Sequence, residues 1–231
     1  MVYAICFAAV SVLFRIIFRF ETRNTEIFDE YKKNGRPFII CANHLSMIDP
    51  VFVVMAYGIG KKLSIMGKAE LFKNPFLNWI FRQVGCFPVE RGKADKSALE
   101  KGISDIKNGH GMLIFPEGTR GTGDKMQKIK SGAFMIAAQT GADIIPVRIV
   151  YPTKTRKLRP LCKVVISVGK PMTAEETDLA SGSRAAIRQA KQNFENELER
   201  LLAEYNESVG YVPPIEATAE NPQTDTESEG E

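Results

Sequence analysis

A histidine and an aspartate five residues apart, His44 and Asp49, stand in the segment Ile39-Ile40-Cys41-Ala42-Asn43-His44-Leu45-Ser46-Met47-Ile48-Asp49-Pro50. An imidazole beside a carboxylate is the pairing that general-base chemistry uses, because the carboxylate fixes the ring tautomer and stabilises the charged ring. The chain has only two histidines, so few other side chains could serve. On an unbroken helix, positions i and i+5 point about 140° apart and would not meet. Asp49 precedes Pro50, however, and the residue before a proline is pushed out of the α region. The spacing therefore predicts Asp49 as a helix N-cap with Pro50 at the first helical position. His44 then lies on a turn ahead of that helix, where its ring can fold back onto the carboxylate. An Asp-Pro helix start after a histidine needs no chemistry, so the pair alone leaves both readings open.

Other groups suit anionic or hydroxyl-bearing ligands. Arg91 closes Phe87-Pro88-Val89-Glu90-Arg91-Gly92 at a strand end. A guanidinium there can fork onto a phosphate; a surface ion pair with Glu90 fits the same residues equally well. Phe115-Pro116-Glu117-Gly118-Thr119-Arg120 also follows an apolar run. Ligands of open α/β sheets gather where strands end, so Glu117 can accept from a hydroxyl, Gly118 can let the backbone approach closely, and Arg120 can add positive charge. Lys68 follows another apolar run and by itself reads as a solvated lysine. Ser46 beside His44 raises a second reading, a hydrolase that consumes ester without an acceptor. A third is a lipid-phosphate binding module without turnover, which has no need of His44 and Asp49 together. His110, in Asn108-Gly109-His110-Gly111, reads as a structural turn residue.

These groups need a frame. Strands are predicted at 38–42, 63–66, 86–89, 112–115, 144–150 and 163–168. Helices are predicted at 50–57, 75–83, 94–107, 131–140 and 184–205, the last with Ile187, Ala190, Phe194, Leu198, Leu201 and Tyr205 at helical spacing. Strands alternating with helices argue an α/β fold, with a mainly parallel central sheet flanked by helices.

Composition bounds the class. The 231 residues are 44% hydrophobic, enough for one domain with appendages. Four scattered cysteines with no C-x-x-C pattern fit a reducing environment better than a disulfide framework or a zinc site. Residues 212–231 carry six acids and no base, which leaves residues 1–211 with 31 bases and 21 acids, a net of +10. The tail reads as disordered. The basic body suits an anionic partner such as a phospholipid surface, a phosphorylated substrate or coenzyme A; no motif supports nucleic acid. Residues 1–14 are apolar apart from Ser11, and Arg15, Arg19 and Arg23 follow. That run falls short of the ~20 residues a bilayer span needs, and charge trailing the apolar run is the reverse of a secretory signal. Residues 1–22 are therefore expected to form a membrane-associating helix. Residues 23–211 form the main domain and residues 212–231 the acidic tail.

Four blocks come in a recognisable order: N-H-L-S-M-I-D at 43–49, V-G-C-F-P-V-E-R-G at 84–92, L-I-F-P-E-G-T-R-G at 113–121 and I-I-P-V-R-I-V at 144–150. In these the chain resembles the glycerolipid acyltransferases, most closely those that acylate 1-acyl-sn-glycerol 3-phosphate. The resemblance runs over residues 35–170. Leu45 stands where Gln or Arg is frequent, and Gly121 where Ser is frequent; both bear on substrate choice. The resemblance implies a glycerol-3-phosphate acyltransferase-like fold and direct acyl transfer without metal, cofactor or acyl-serine. It makes His44 and Asp49 catalytic, and assigns Arg91, Glu117, Gly118, Thr119, Arg120 and Lys68 to substrate binding. The implied donor is acyl-CoA or acyl-carrier protein, the acceptor lysophosphatidic acid, with another lysolipid or glycerol 3-phosphate as the alternative, and the product phosphatidic acid; the arginines that trail the apolar run place the body on the cytoplasmic face of a membrane. On this reading Arg91→Ala should raise KM for a phosphorylated acceptor more than KM for the thioester. Steady-state kinetics varying each substrate in turn test this; an equal effect on both would mean that Arg91 is misassigned.

Overall fold

Phe38–Ala42 is buried at every residue, as expected for a strand covered on both faces rather than one facing water. The protein is described here from a computed structural model, covering residues 2–83, 85–89, 96–153 and 157–211. Arg91 and the acidic tail at 212–231 lie outside the described residues. The elements are α1 (Val2–Ile17), β1 (Arg19–Arg23), α2 (Glu26–Asn34), β2 (Phe38–Ala42), α3 (Asp49–Tyr57), β3 (Leu63–Lys68), α4 (Pro75–Gln83), β4 (Cys86–Val89), α5 (Lys96–Lys107), β5 (Gly111–Ile114), α6 (Gly132–Thr140), β6 (Asp143–Val150), β7 (Lys163–Val168) and α7 (Arg184–Ser208).

The strands form one sheet in the order β1-β7-β6-β2-β5-β3-β4. Strands β6, β2, β5, β3 and β4 are mutually parallel. β7 runs antiparallel to β6, and β1 parallel to β7. The mainly parallel α/β sheet expected from the alternation of strands and helices is thus the observed architecture. After β2 the chain crosses to β3 on one side; after β5 it crosses to β6 on the other. Right-handed crossovers in opposite directions place their helices on opposite faces. Accordingly, Phe52 and Val53 of α3 join a core with Phe38, Ile40 and Val147, while Ala133 and Phe134 of α6 join a second core with Ile39, Cys41 and Ile144. The chain therefore parts above the C-terminal ends of β2 and β5, which is where a sheet of this kind opens a crevice.

The N-terminal segment differs from the helical reading. Arg19–Arg23 is not helix but the sheet's edge strand, in register with Lys163–Ser167. Its alternation of charged Arg19, Glu21 and Arg23 is the pattern of a strand with one protected edge. α1 is 16 residues long, about 24 Å at a helical rise, and no helix among the described residues is long and apolar enough to cross a membrane. One side of α1 packs inward through Phe14 and Ile17. The other side exposes Val12, Leu13 and Ile16 at 52–72%. α2, for which the sequence reading named no element, buries Phe28 and Tyr31 and ends on Gly35 in the left-handed conformation, a common helix stop.

Phe52 of α3 joins these parts. Its ring meets Phe14 at 5.5 Å, Phe18 at 5.2 Å, Phe20 at 6.1 Å and Tyr151 at 6.3 Å. One fully buried side chain thus ties α1 and β1 to the helix that carries Asp49. Phe52→Ala should lower the unfolding free energy by about 3–5 kcal/mol, read by urea denaturation. A loss below about 1 kcal/mol would be that of an ordinary surface position and would refute the linking role.

Candidate active site

β2 ends at Ala42, and Asn43 continues its pairing by side chain. Asn43 Nδ2 donates to Ile149 O at 3.1 Å and Ile149 N donates to Asn43 Oδ1 at 2.7 Å. The carboxamide stands in for the next pair of ladder bonds to β6 and releases the backbone to turn. His44 begins that turn and is 8% exposed.

Asp49 is fully buried. It occupies the first residue of α3, one position inside the N-cap that the sequence predicts, and Ile48 stands at the cap without a side-chain bond. The difference has a physical cause. Asp49 does not cap its own helix because its carboxylate turns back on the loop. Oδ2 accepts from His44 Nδ1 at 2.9 Å, Leu45 N at 2.6 Å and Ser46 N at 2.7 Å. Oδ1 accepts from the Tyr151 hydroxyl. An ionised carboxylate offers about four lone-pair sites; here both oxygens are bonded, Oδ2 by three donors and Oδ1 by one. Burial, then the adjacent Asp49 charge, pushes the Tyr151 hydroxyl far above its ordinary value, so it stays a donor. Among the described residues His44 Nε2 has no hydrogen-bond partner. The Phe115 ring lies 4.4 Å from the imidazole at a tilt of 31° and limits how the ring can swing.

The second strand end contributes Glu117, 3% exposed. Its Oε1 accepts from His44 N at 2.7 Å and its Oε2 from Gln127 N at 2.8 Å. Gly121 N donates to His44 O at 2.7 Å, so both main-chain groups of His44 are held by the 117–121 turn. Burial raises the Glu117 pKa, opposed by the Gln127 and His44 N–H groups and then by the charges of His44 and Arg148. The sequence reading expected Glu117 to accept from a substrate hydroxyl. In this structure its oxygens accept from the protein's own amides, which fixes the histidine backbone. Gly118 has φ +70, which favours glycine, and the Lys130 side chain lies where a Cβ would stand. Thr119 and Arg120 are exposed on the same turn. Lys68 ends β3 and pairs with Glu70 at 3.1 Å on the surface.

The structure thus brings His44, Asp49 and Glu117 into contact and sets Thr119, Arg120 and Lys68 at the C-terminal ends of neighbouring strands β5 and β3. Ser46 Oγ lies 3.5 Å from Ile48 N and makes no bond to the imidazole. His110 stands between α5 and the start of β5, 3.9 Å from Asp105. Sequence reasoning missed Tyr151 and Asn43. Tyr151 directly follows an apolar strand, at the end where ligands of such sheets collect, and that position was its available signal. Asn43 opens the N-H-L-S-M-I-D block, but its role could not be read there, because its partner Ile149 is 106 residues away.

Comparison with known proteins gives this arrangement a setting. Residues 21–150 match the model of a family described as Acyltransferase. The chloroplastic 1-acyl-sn-glycerol-3-phosphate acyltransferase LPAT1 of Arabidopsis thaliana is 25% identical over 75% of this chain and 50% of its own. The chain thus spans about half the length of that curated relative. The 1-acyl-sn-glycerol-3-phosphate acyltransferase of Bacillus subtilis is 29% identical over 74% of this chain and 89% of its own. Among solved structures, the crystal structure of the 1-acyl-sn-glycerophosphate acyltransferase PlsC from Thermotoga maritima superposes with a TM-score of 0.61 at 25% identity, covering 81% of this chain and 72% of the other. The family match takes in more than half of the sequence, begins inside the edge strand and stops one residue short of the phenol that holds Asp49; this chain belongs to the Acyltransferase family.

Proposed function

We propose that this protein transfers a fatty acyl group from a thioester to the free hydroxyl of 1-acyl-sn-glycerol 3-phosphate, giving phosphatidic acid. The observation that carries the reading is the His44 Nδ1 to Asp49 Oδ2 bond of 2.9 Å. It directs Nε2 away from the carboxylate as the ring's proton acceptor. Three of the relatives and neighbours named above are called acyltransferases of that lysolipid, which supports the choice of acceptor.

The steps follow from the geometry. His44 Nε2 takes the proton of the acceptor hydroxyl, and Asp49 offsets the charge that the ring gains. The hydroxyl oxygen attacks the thioester carbonyl, the carbon–sulfur bond breaks, and the thiolate leaves with the proton returned from His44. General-base action of this kind contributes roughly 10²–10⁴ in rate. Positioning must supply much of the remainder, and Arg91, Lys68 and Arg120 are the groups we assign to the acceptor's phosphate. Glu117 and Gly118 hold the turn against His44, with Thr119 beside them. The hydrolase alternative lacks its central contact, since Ser46 does not bond the imidazole.

His44→Ala should cut kcat by about 10² or more in a folded protein. Asp49→Asn should be comparably severe, because an amide neither fixes the same tautomer nor offsets imidazolium charge. Assays with lysophosphatidate and acyl-CoA or acyl-carrier protein, with products resolved by mass, test both. Near-normal turnover in folded His44→Ala would contradict the mechanism.

The acceptor is a membrane lipid, and we propose that α1 seats the protein on the cytoplasmic leaflet. Val12, Leu13 and Ile16 face outward, with Leu161, 74% exposed, at the end of the same helix through its N–H bond to Ile17 O. Arg15 and Arg19 stand where headgroups would meet such a helix. Deleting residues 1–20 would also strip the ring partners of Phe52, so outward substitutions are the cleaner probe. Val12, Leu13 and Ile16 replaced together by Ser should release the protein from anionic vesicles at moderate salt, where screening weakens what charge alone holds. Flotation equal to the unsubstituted protein at both low and moderate salt would refute the seat.

A further inference from the structure

Beyond the dyad the C-terminal edge of the sheet carries a concavity. A cleft of about 470 Å³ lies between the 117–131 loop and α7, lined among others by Thr119, Lys128, Lys130, Ser131 and Lys191. Lys128 and Lys130 flank Ile129, which is 1% exposed and anchors the segment in the core shared by α6 and α7. Residues two apart on extended chain point the same way, so the anchored isoleucine turns both ammonium groups into the cleft. Lys191 comes from a separate element, next to the fully buried Ala190 of α7. None of the three lysines pairs with a carboxylate among the described residues. The one acid lining the cleft, Glu117, has its oxygens on His44 N and Gln127 N. Three cations from two elements converge, and none of them is paired with Glu117.

The position tells which anion fits. Leu45 and Ile48, on the His44–Asp49 turn, pack on the α3 face, while Ile129 packs on the α6 face. Glu117 stands between, bonding His44 with one oxygen and the cleft's Gln127 with the other. A molecule held by these lysines and reacting at His44 needs a long arm across the 117–121 turn. The acceptor has none, because its hydroxyl and phosphate share one glycerol unit. A coenzyme A thioester has one, because its pantetheine separates the carbonyl from the phosphates. A small concave site suits a compact polyanion, whereas a carrier protein would need about 800 Å² of its own surface in contact.

We propose that this cleft seats the phosphate groups of a coenzyme A donor; the proposal rests on the acyl-transfer reading above. The test is equilibrium binding of coenzyme A, dephospho-coenzyme A and glycerol 3-phosphate to the full chain, to the double variant Lys128→Gln with Lys191→Gln, and to the double variant Lys128→Arg with Lys191→Arg. The glutamine pair should bind coenzyme A more weakly by about tenfold or more, with a smaller difference for dephospho-coenzyme A and none for glycerol 3-phosphate. The arginine pair should bind like the unsubstituted chain. Unchanged coenzyme A affinity in the folded glutamine pair overturns the proposal, as does absence of coenzyme A binding by the unsubstituted chain. Loss of glycerol 3-phosphate binding with coenzyme A affinity intact marks an acceptor site instead, and loss of anionic-vesicle flotation alone marks a headgroup site; each overturns it. Lysine-dependent coenzyme A binding in a protein that acylates no lysolipid would keep the cleft and sink the acyl-transfer reading. Full turnover with an unchanged coenzyme A-thioester KM in the glutamine pair would keep that reading and sink the cleft.

Discussion

A buried carboxylate must find donors for its lone pairs or lose several kcal/mol to desolvation, and Asp49 is buried completely. That requirement organises the site. Four donors answer it: the imidazole of His44, the amides of Leu45 and Ser46, and the hydroxyl of Tyr151. Satisfying Asp49 therefore closes the turn, sets the imidazole tautomer and ties the end of β6 to the start of α3. The geometry needed for proton transfer and the geometry needed to bury the charge are the same. On the proposed mechanism, each of the four donors helps to position the base, including two backbone groups that no substitution can easily remove.

The opposite end of the sheet offers a control. Asp143 is also fully buried and accepts from Tyr31 at 2.7 Å, Arg36 at 2.8 and 3.1 Å and Ala174 N at 3.1 Å. It, too, is a saturated hub that joins distant segments. None of the donors to Asp143 is an imidazole, however; they are a phenol, a guanidinium and a backbone amide. Its position at the N-terminal end of β6 is where parallel sheets keep structural contacts, while their chemistry lies at the other end. Burial and hydrogen-bond count thus do not distinguish the two aspartates; the imidazole held by one of them does.

Much of this was legible in the residues. The parallel sheet followed from strands alternating with helices, and the turn between His44 and Asp49 from Pro50. The site's depth was not. Asp49 reads locally as an N-cap, and only the long-range arrival of Tyr151 shows why its carboxylate turns away from its own helix. Glu117 reads as a hydroxyl acceptor because it ends a strand; its bonds to amides 73 and 10 residues distant could not be read beside it. β1 was hidden because three of its five residues are charged and the apolar run before it dominates the local pattern. Such features depend on which segments meet, and a one-dimensional pattern carries no record of that.

The central claim is that Asp49 holds His44 with its proton on Nδ1 and leaves Nε2 as the base. Nitrogen-15 chemical shifts of the His44 ring at neutral pH, assigned through Asp49→Asn and His44→Gln, measure this directly. The account predicts a neutral ring protonated at Nδ1 and bare at Nε2, with that preference lost in Asp49→Asn. A folded protein whose His44 carries its proton on Nε2, or whose tautomer is unmoved by Asp49→Asn, would contradict it.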